Sequence, residues 1–210
     1  MNRAKGGLIF AILCGGVGYW LYRNDYFSVL GGESVENQSE NVSYETMTNQ
    51  QKYYGVTGGN NQIISLINEV ARLYNFGANQ NNLSKFLFEI CAVESDFGWA
   101  VDKTLNSGEG LTQFDKATYN ELRADAIKNK WICYNIKNTE YNQLRTNPGL
   151  QIFMARYFLY KRIPTATPAD IAGRAKLWKK YYNTYLGAGS ESGYISKANK
   201  WYNKLNYQGV

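Results

Sequence analysis

Apolar residues after residue 60 recur at three- and four-residue spacing, and this helical periodicity restricts the fold more than any other feature of the chain. The pattern is strongest in two segments, 63–74 and 83–94. A more polar helix is predicted at 115–129 and a last one at 194–205. No strand of convincing length is present, although a short hairpin between about residues 95 and 114 fits the pattern. The sequence therefore predicts a mainly α domain.

Two proline-containing segments predict further helix starts. Asn147 precedes Pro148, and asparagine caps a helix N-terminus while proline suits its first turn. Thr167 and Pro168 repeat this arrangement. Asp170 would then lie in the first turn, where the helix dipole favours an acidic side chain. We therefore expect helices that begin at both prolines.

An uncharged run, residues 6–22, lies near the N-terminus and has about the minimum length of a membrane-spanning helix. Arg3 and Lys5 precede it, so the positive-inside rule predicts a cytoplasmic N-terminus. We interpret residues 1–23 as a single-pass transmembrane anchor, with the rest of the chain on the periplasmic or extracytoplasmic side of a cell or phage virion membrane. A cleaved signal peptide is the alternative, but no A-x-A-like cleavage site follows the run.

A polar stretch separates this run from the helical region. Residues 24–60 are rich in Asn, Gln, Ser, Glu and Gly and lack a core-forming pattern, which is typical of a flexible tether. The sequence thus predicts three parts, an anchor at 1–23, a linker at 24–60 and one globular domain at 61–210.

The composition excludes several kinds of site. The chain has no histidine, which removes His-dependent triads and the His-rich zinc hydrolases. Cys14, Cys91 and Cys133 have no metal-binding spacing, so we expect no metal and no cofactor. Buried free thiols are favoured, and a disulfide between Cys91 and Cys133 stays open as an alternative.

Positive charge is concentrated in the predicted domain. The whole chain has a formal net charge of +6, and residues 61–210 alone carry about +7. A basic domain attracts anionic partners, and nucleic acid and the anionic bacterial cell wall both fit this description. The sequence has no aromatic-basic RNA signature and no recognisable major-groove helix, so no nucleic acid is expected. A solvated basic surface is the simplest alternative.

Glu94 ends the apolar face of the second helical segment. On a helix it shares a face with Leu87, Ile90 and Cys91. Burial among these groups and the negative end of the helix dipole both disfavour the ionised carboxylate, so both raise its pKa. A carboxyl that stays protonated near neutral pH is what a glycosidase uses to protonate a leaving oxygen. A solvated glutamate at a helix end is the ordinary alternative.

Short motifs around Glu94 resemble the soluble lytic transglycosylase and goose-type lysozyme superfamily. Glu94 and Ser95 match its catalytic Glu-Ser pair, and residues 110–113 match its cleft-lining Gly-Leu-Met-Gln segment, with Thr112 in place of Met. Residues 147–161 are similar to the helix that packs behind the site in that family. The whole resemblance covers about residues 61–205 and looks especially like phage endolysins and virion-associated muralytic proteins.

A later segment, Tyr182-Asn183, resembles the family segment in which a tyrosine hydroxyl meets the catalytic carboxyl, and Tyr181 is the second choice for that role. One departure lies in the Gly loop, where Glu109 adds a carboxyl next to Gly110. We interpret Glu109 as a charge at the loop tip, with a place in the cleft as the alternative. The substrate-binding residues implied by the resemblance are Ser95, Gly110, Leu111, Gln113, Tyr182 and Asn183.

The resemblance implies a lysozyme-like domain that acts on the glycan strands of peptidoglycan. Glu94 would act as the catalytic acid and then as the base, giving a lytic transglycosylase that leaves a 1,6-anhydro product. A hydrolytic muramidase needs a second carboxylate, and Asp96, Asp102, Glu109 and Asp115 are near in sequence. A catalytically inactive, membrane-bound virion structural protein is the alternative from another class.

Overall fold

The structure is a computed structural model, and it describes residues 49–101, 108–130, 133–184 and 187–210. The predicted anchor at 1–23, most of the predicted linker and Asp102 lie outside these described residues. Within them, no helix combines the length and the apolar composition that crossing a bilayer needs.

Helices dominate the described ranges, which confirms the prediction of a mainly α protein. The α-helices are α1 (Asn49–Tyr53), α2 (Gly59–Leu73), α3 (Gln80–Ser95), α4 (Lys116–Lys128), α5 (Pro148–Arg162), α6 (Ile171–Leu177) and α7 (Glu191–Leu205). Short 3₁₀ helices span Cys133–Asn138 and Tyr141–Arg145, and a π-helix, Trp178–Tyr182, continues α6. No strand occurs in these ranges, and the predicted hairpin reduces to a single bridge between Glu109 and Phe114.

Helix α3 is the central element. Asn79 caps it by accepting a hydrogen bond from Asn82 N at 3.0 Å, and apolar side chains are buried on every side of its second half. It packs against α2, α5 and α7. A helix with apolar side chains on every side must be covered by other elements on every side, so α3 lies in the core. Glu94 lies in its last turn, at the edge of that core.

The two predicted helix starts have different outcomes. Asn147 caps α5 as expected, since its side chain accepts a hydrogen bond from Leu150 N. The predicted start at Pro168 is wrong, because α6 begins at Ile171 and Asp170 is its cap, accepting from Gly173 N at 2.7 Å. The carbonyls of Pro168 and Ala169 instead accept hydrogen bonds from the Arg174 side chain, which holds this stretch outside the helix.

The folded region begins earlier than the predicted boundary at residue 61. Gln51 and Tyr54 are buried, and Val56 is fully enclosed. Gln51 Nε2 donates to Phe97 O at 3.1 Å, and Tyr54 Oη donates to Ala100 O at 3.1 Å. Residues 49–60 therefore support the turn that follows α3 rather than serving as linker.

The chain divides into two compact units. Of the described residues, 49–122 and 140–210 belong to the larger unit, and those within 123–139 belong to the smaller one. In the smaller unit, Arg123 donates to Ile136 O at 3.1 Å and to Lys137 O at 2.5 Å. Glu94 and the other predicted site residues all lie in the larger unit.

Candidate active site

Glu94 lies in the last turn of α3, with a half-buried side chain. The indole Nε1 of Trp178 donates a hydrogen bond to its Oε1 at 2.7 Å. Lys197, on α7, lies nearby and donates to the carbonyl of Val93 at 3.0 Å. The carboxyl is thus withdrawn from bulk water but retains one strong donor and one neighbouring cation.

Burial raises the pKa of Glu94 to about 7, against the opposing effects of the Trp178 hydrogen bond and the Lys197 charge. This agrees with the direction and the main cause expected from the sequence. A carboxyl with this pKa has comparable protonated and ionised populations at neutral pH. The same group can therefore donate a proton and later accept one.

The backbone after Glu94 turns sharply. Asp96, Phe97 and Gly98 have φ values of 50°, 56° and 79°, so three successive residues lie in the left-handed region. Such strain in residues other than glycine persists only where surrounding contacts enforce it. Asp96 supplies one of these contacts, since its Oδ1 accepts from Trp201 Nε1 at 2.6 Å.

Ser95 is fully buried and belongs to this turn. Its hydroxyl donates to Cys91 O at 3.2 Å and accepts from Gly98 N at 3.1 Å. Both hydrogen-bonding directions of the hydroxyl are used within the protein. The geometry therefore gives Ser95 a structural role beneath Glu94 rather than a place on the substrate surface.

The Gly loop is fastened to α5 by Gln151, a buried residue that the sequence analysis missed. Leu111 N donates to Gln151 Oε1 at 2.8 Å, and Thr112 Oγ1 donates to Gln151 O at 3.2 Å. Gly110 has φ 80°, and a Cβ there would lie 2.6 Å from Gln151 Cγ. Leu111 is completely buried, so it anchors the loop instead of facing solvent.

Gln113 is half-buried at the end of the same loop, with φ 51°. Its Nε2 donates to Gly110 O at 2.8 Å and to Tyr54 Oη at 3.1 Å. The amide nitrogen therefore closes the loop onto itself and onto the segment after α1.

Tyr182 lies in the π-helix and reaches the Gly loop. Its hydroxyl donates to Thr112 O at 2.6 Å, and the ring makes edge contacts with Phe114 and Phe158. Burial and the neighbouring Glu94 charge raise its pKa. The implied tyrosine–carboxyl contact is thus replaced in this chain, where the donor to Glu94 is Trp178.

Asn183 lies directly after Tyr182 and is also half-buried. Its Oδ1 accepts from Lys179 Nζ at 2.9 Å, and Lys179 also donates to Gly187 O at 2.8 Å. These bonds fasten the end of the π-helix to the following glycine segment. Tyr182 is thus near enough to Glu94 to interact electrostatically but bonds to the Gly loop, whereas Asn183 supports the end of the π-helix.

Three other carboxylates near Glu94 in sequence already have partners. Asp96 is held by Trp201 and Lys200. Glu109 forms a paired hydrogen bond with Arg145, through Nε at 3.0 Å and Nη2 at 2.5 Å. Asp115 accepts from the backbone nitrogen and hydroxyl of Thr118 at 2.9 and 2.6 Å. Asp96 and Glu109 are therefore ion-paired and Asp115 caps the backbone of α4, whereas Glu94 accepts a hydrogen bond from the neutral indole of Trp178.

Cys91, one turn before Glu94, is a buried free thiol, so the alternative of a disulfide with Cys133 is wrong. Burial, and then the nearby Glu94 charge, raises its pKa, so it stays protonated and unreactive. Among the described residues no group of three or more Cys, Asp or Glu side chains could hold a metal ion.

Motif comparison did not identify Trp178 as the donor to Glu94. The two residues are 84 positions apart, and no local spacing in the sequence relates them. Comparisons of this chain with protein-family models, with curated proteins and with solved structures find no match.

Proposed function

We propose that this chain is a peptidoglycan lytic transglycosylase with a lysozyme-like domain. It cleaves the β-1,4 bond between N-acetylmuramic acid and N-acetylglucosamine and leaves a 1,6-anhydro product. The observation that carries the proposal is Glu94, a half-buried carboxyl at a helix end whose pKa burial raises to about 7. The motif resemblance around residues 94–95 and 110–113 supplies the substrate class.

Glu94 carries both proton transfers. In its protonated form it donates to the glycosidic oxygen, the bond to the muramyl C1 breaks, and an oxocarbenium-like centre forms. The resulting carboxylate then takes the proton of the muramyl 6-hydroxyl, whose oxygen closes the ring onto C1. No water is consumed, and the carboxyl ends protonated as it began.

The engagement of the neighbouring carboxylates within the described residues favours this reaction over hydrolysis. A hydrolase of this type needs a second carboxylate to hold or activate water. Asp96, Glu109 and Asp115 are each tied to other side chains or to backbone, as described above. A single carboxyl with two sequential roles suits the transglycosylase.

The surroundings of Glu94 would recognise the glycan. Tyr182 interacts electrostatically with Glu94 and donates to Thr112 O, which links the loop at 110–113 to the site. The excess of basic residues in 61–210 would attract the anionic cell wall. Residues 1–23, as a membrane anchor, would hold the enzyme on the extracytoplasmic side beside its substrate. This arrangement suits a phage-encoded protein that serves lysis or host entry.

Digestion of purified peptidoglycan tests the proposal. The full chain, solubilised in detergent, should release muropeptides whose masses show anhydro-muramyl ends, and Glu94→Gln should release none. Glu191→Gln, at an exposed position on α7, is the matched control and should digest normally. Hydrated reducing ends would identify a hydrolytic muramidase instead. Undigested wall with wild-type protein would favour the inactive structural alternative.

A further inference from the structure

Helix α6 and the π-helix contact two carboxyl groups of α3 through two residues one turn apart. Arg174 bonds to Glu89, and Trp178 bonds to Glu94. We call these four residues the carboxylate clamp. Only the Glu94 end of the clamp belongs to the catalytic machinery proposed above.

The Glu89 end is a fully buried, fully satisfied ion pair. Arg174 donates to Oε2 from Nε at 2.8 Å and to Oε1 from Nη2 at 2.7 Å. The hydroxyls of Tyr194 and Tyr202, from α7, donate to the same two oxygens, each at 2.7 Å. The side chains of Arg174 and Glu89 are 3% and 0% exposed. Bidentate geometry of this kind fixes direction as well as distance.

Such a pair is better suited to fixing register than to adding stability. Removing charges from water costs about as much as their attraction returns, so a buried ion pair adds little net stability over apolar packing. Its directional hydrogen bonds favour one position of Arg174 against Glu89. Trp178 follows one turn later, where the π-turn is marked by Asn183 N donating to Trp178 O at 2.9 Å.

We propose that Trp178 is the positioning residue of Glu94, and that the Glu89–Arg174 pair holds the helix that presents it. The catalytic part of this inference rests on the proposed function, whereas the geometric part does not. An indole nitrogen donates and cannot accept. Because Trp178 donates to Oε1, the transferable proton is directed to Oε2, which in the proposed reaction would donate to the glycosidic oxygen.

Other ionisable groups also act on Glu94 and must stay constant in a test. Lys197 approaches from α7 and favours the carboxylate, whereas Cys91 on α3 and Tyr182 on the π-helix interact with it as neighbouring groups. Trp178 itself favours the carboxylate by hydrogen bonding. Loss of its N–H should therefore raise the pKa of Glu94 further.

Carbon-13 NMR of glutamate-labelled full-length protein measures this directly, without substrate. Glu94→Gln assigns the Glu94 carboxyl signal. Trp178→Phe should raise its pKa by about one pH unit, since a hydrogen bond to a charged group accounts for roughly that much. Trp99→Phe is the matched control, because its indole nitrogen has no hydrogen-bond partner among the described residues, and it should leave the Glu94 signal unchanged. An unchanged or lowered pKa in Trp178→Phe would overturn the proposal.

The register role needs its own variant. Replacing the pair with apolar residues, Glu89→Leu with Arg174→Met, should raise the pKa of Glu94 towards its value in Trp178→Phe, although Trp178 is still present. Adding Trp178→Phe to that double variant should then produce no further rise. A wild-type titration in the double variant would show that the pair is structural only and would refute this part.

Two further measurements distinguish the positioning role of Trp178 from a loss of folding and from a failure of the proposed function. If Trp178→Phe does not fold, benzothienylalanine at position 178 keeps the shape and replaces N–H by sulfur, so the same shift is expected. In digestion assays the alkaline limb of the activity profile should move with the pKa of Glu94. A shifted titration without any wall digestion would overturn the proposed function and leave the clamp intact.

Discussion

The side-chain oxygen of Gln151 accepts a hydrogen bond from Leu111 N at 2.8 Å, and this contact joins the Gly loop to a helix 40 residues away. Gln151 also donates through Nε2 to Tyr54 O at 3.2 Å and to Leu144 O. One fully buried amide thus satisfies backbone groups from three separate segments. The shape of the loop beside Glu94 depends on it.

Gln151→Met should destabilise the protein by about 2–4 kcal/mol, because several buried backbone groups lose their partner while the side-chain volume is kept. Urea unfolding of the purified chain measures the effect. Gln62→Met is the control, since Gln62 also caps backbone nitrogens, those of Thr57 and Gly58, but at an exposed turn. Equal losses in both variants would contradict the role assigned to Gln151.

Gly110→Ala should lower both stability and activity. The new methyl group would meet the Gln151 side chain at 2.6 Å, and alanine disfavours φ 80°. Gly77→Ala separates the two effects, because Gly77 has φ 84° with no atom near its Cβ position. The left-handed backbone alone costs about 1 kcal/mol. Any larger loss in Gly110→Ala measures the clash, and equal losses would show that the loop can move aside.

Glu94→Gln should make the protein more stable than wild type at alkaline pH. The folded pKa of about 7 lies above the reference value of 4.5. The stability that protonated Glu94 contributes is therefore fully present below pH 4.5 and is lost as the pH rises to 7. Since glutamine stays neutral, the free energy of unfolding of the variant should exceed that of wild type by about 3 kcal/mol above neutral pH and by nearly nothing in acid.

Unfolding free energies at several pH values test this difference. Glu121→Gln removes one negative charge at an exposed position and supplies the baseline. A gap between Glu94→Gln and wild type that does not change with pH would refute the burial of this carboxyl.

Tyr182→Phe should reduce wall digestion by about tenfold without changing the product. The variant loses the hydroxyl that holds Thr112 O at 2.6 Å, so the Gly loop is less well placed against Glu94, and a displaced binding surface of this kind costs on the order of tenfold or more in rate. Tyr181→Phe changes the neighbouring ring, which lies under Lys180, and should digest normally. A larger loss of wall digestion in Tyr181→Phe would show that Tyr181, rather than Tyr182, positions the Gly loop.

Local pattern alone predicted the helices around Glu94. The apolar spacing of 83–94 and the capping asparagine before Pro148 correspond to α3 and α5. The same pattern predicted burial of Glu94, because a residue at the end of an apolar helical face lies next to the side chains that this face buries. These features depend on neighbours within one or two helical turns, which a sequence displays directly.

Contacts between distant segments decided the rest. The start of α6 moved to Ile171 because Arg174, engaged with Glu89, also binds the carbonyls before the helix. Residues 49–60 joined the core because Gln51 and Tyr54 satisfy backbone groups near Phe97 and Ala100. The polar composition of this stretch had predicted a linker. Composition alone does not reveal hydrogen bonds to residues that are distant in the sequence.

The sequence by itself therefore determined that a carboxyl would lie at the end of a buried helix, whereas the tertiary structure decided which side chain donates a hydrogen bond to that carboxyl. Trp178 is 84 residues from Glu94, and no local pattern relates them. Their contact lies one turn from the buried ion pair that joins Arg174 of α6 to Glu89 of α3. Hydrogen bonds are directional over a few tenths of an ångström, so partner choice at a site depends on packing that only the folded chain possesses.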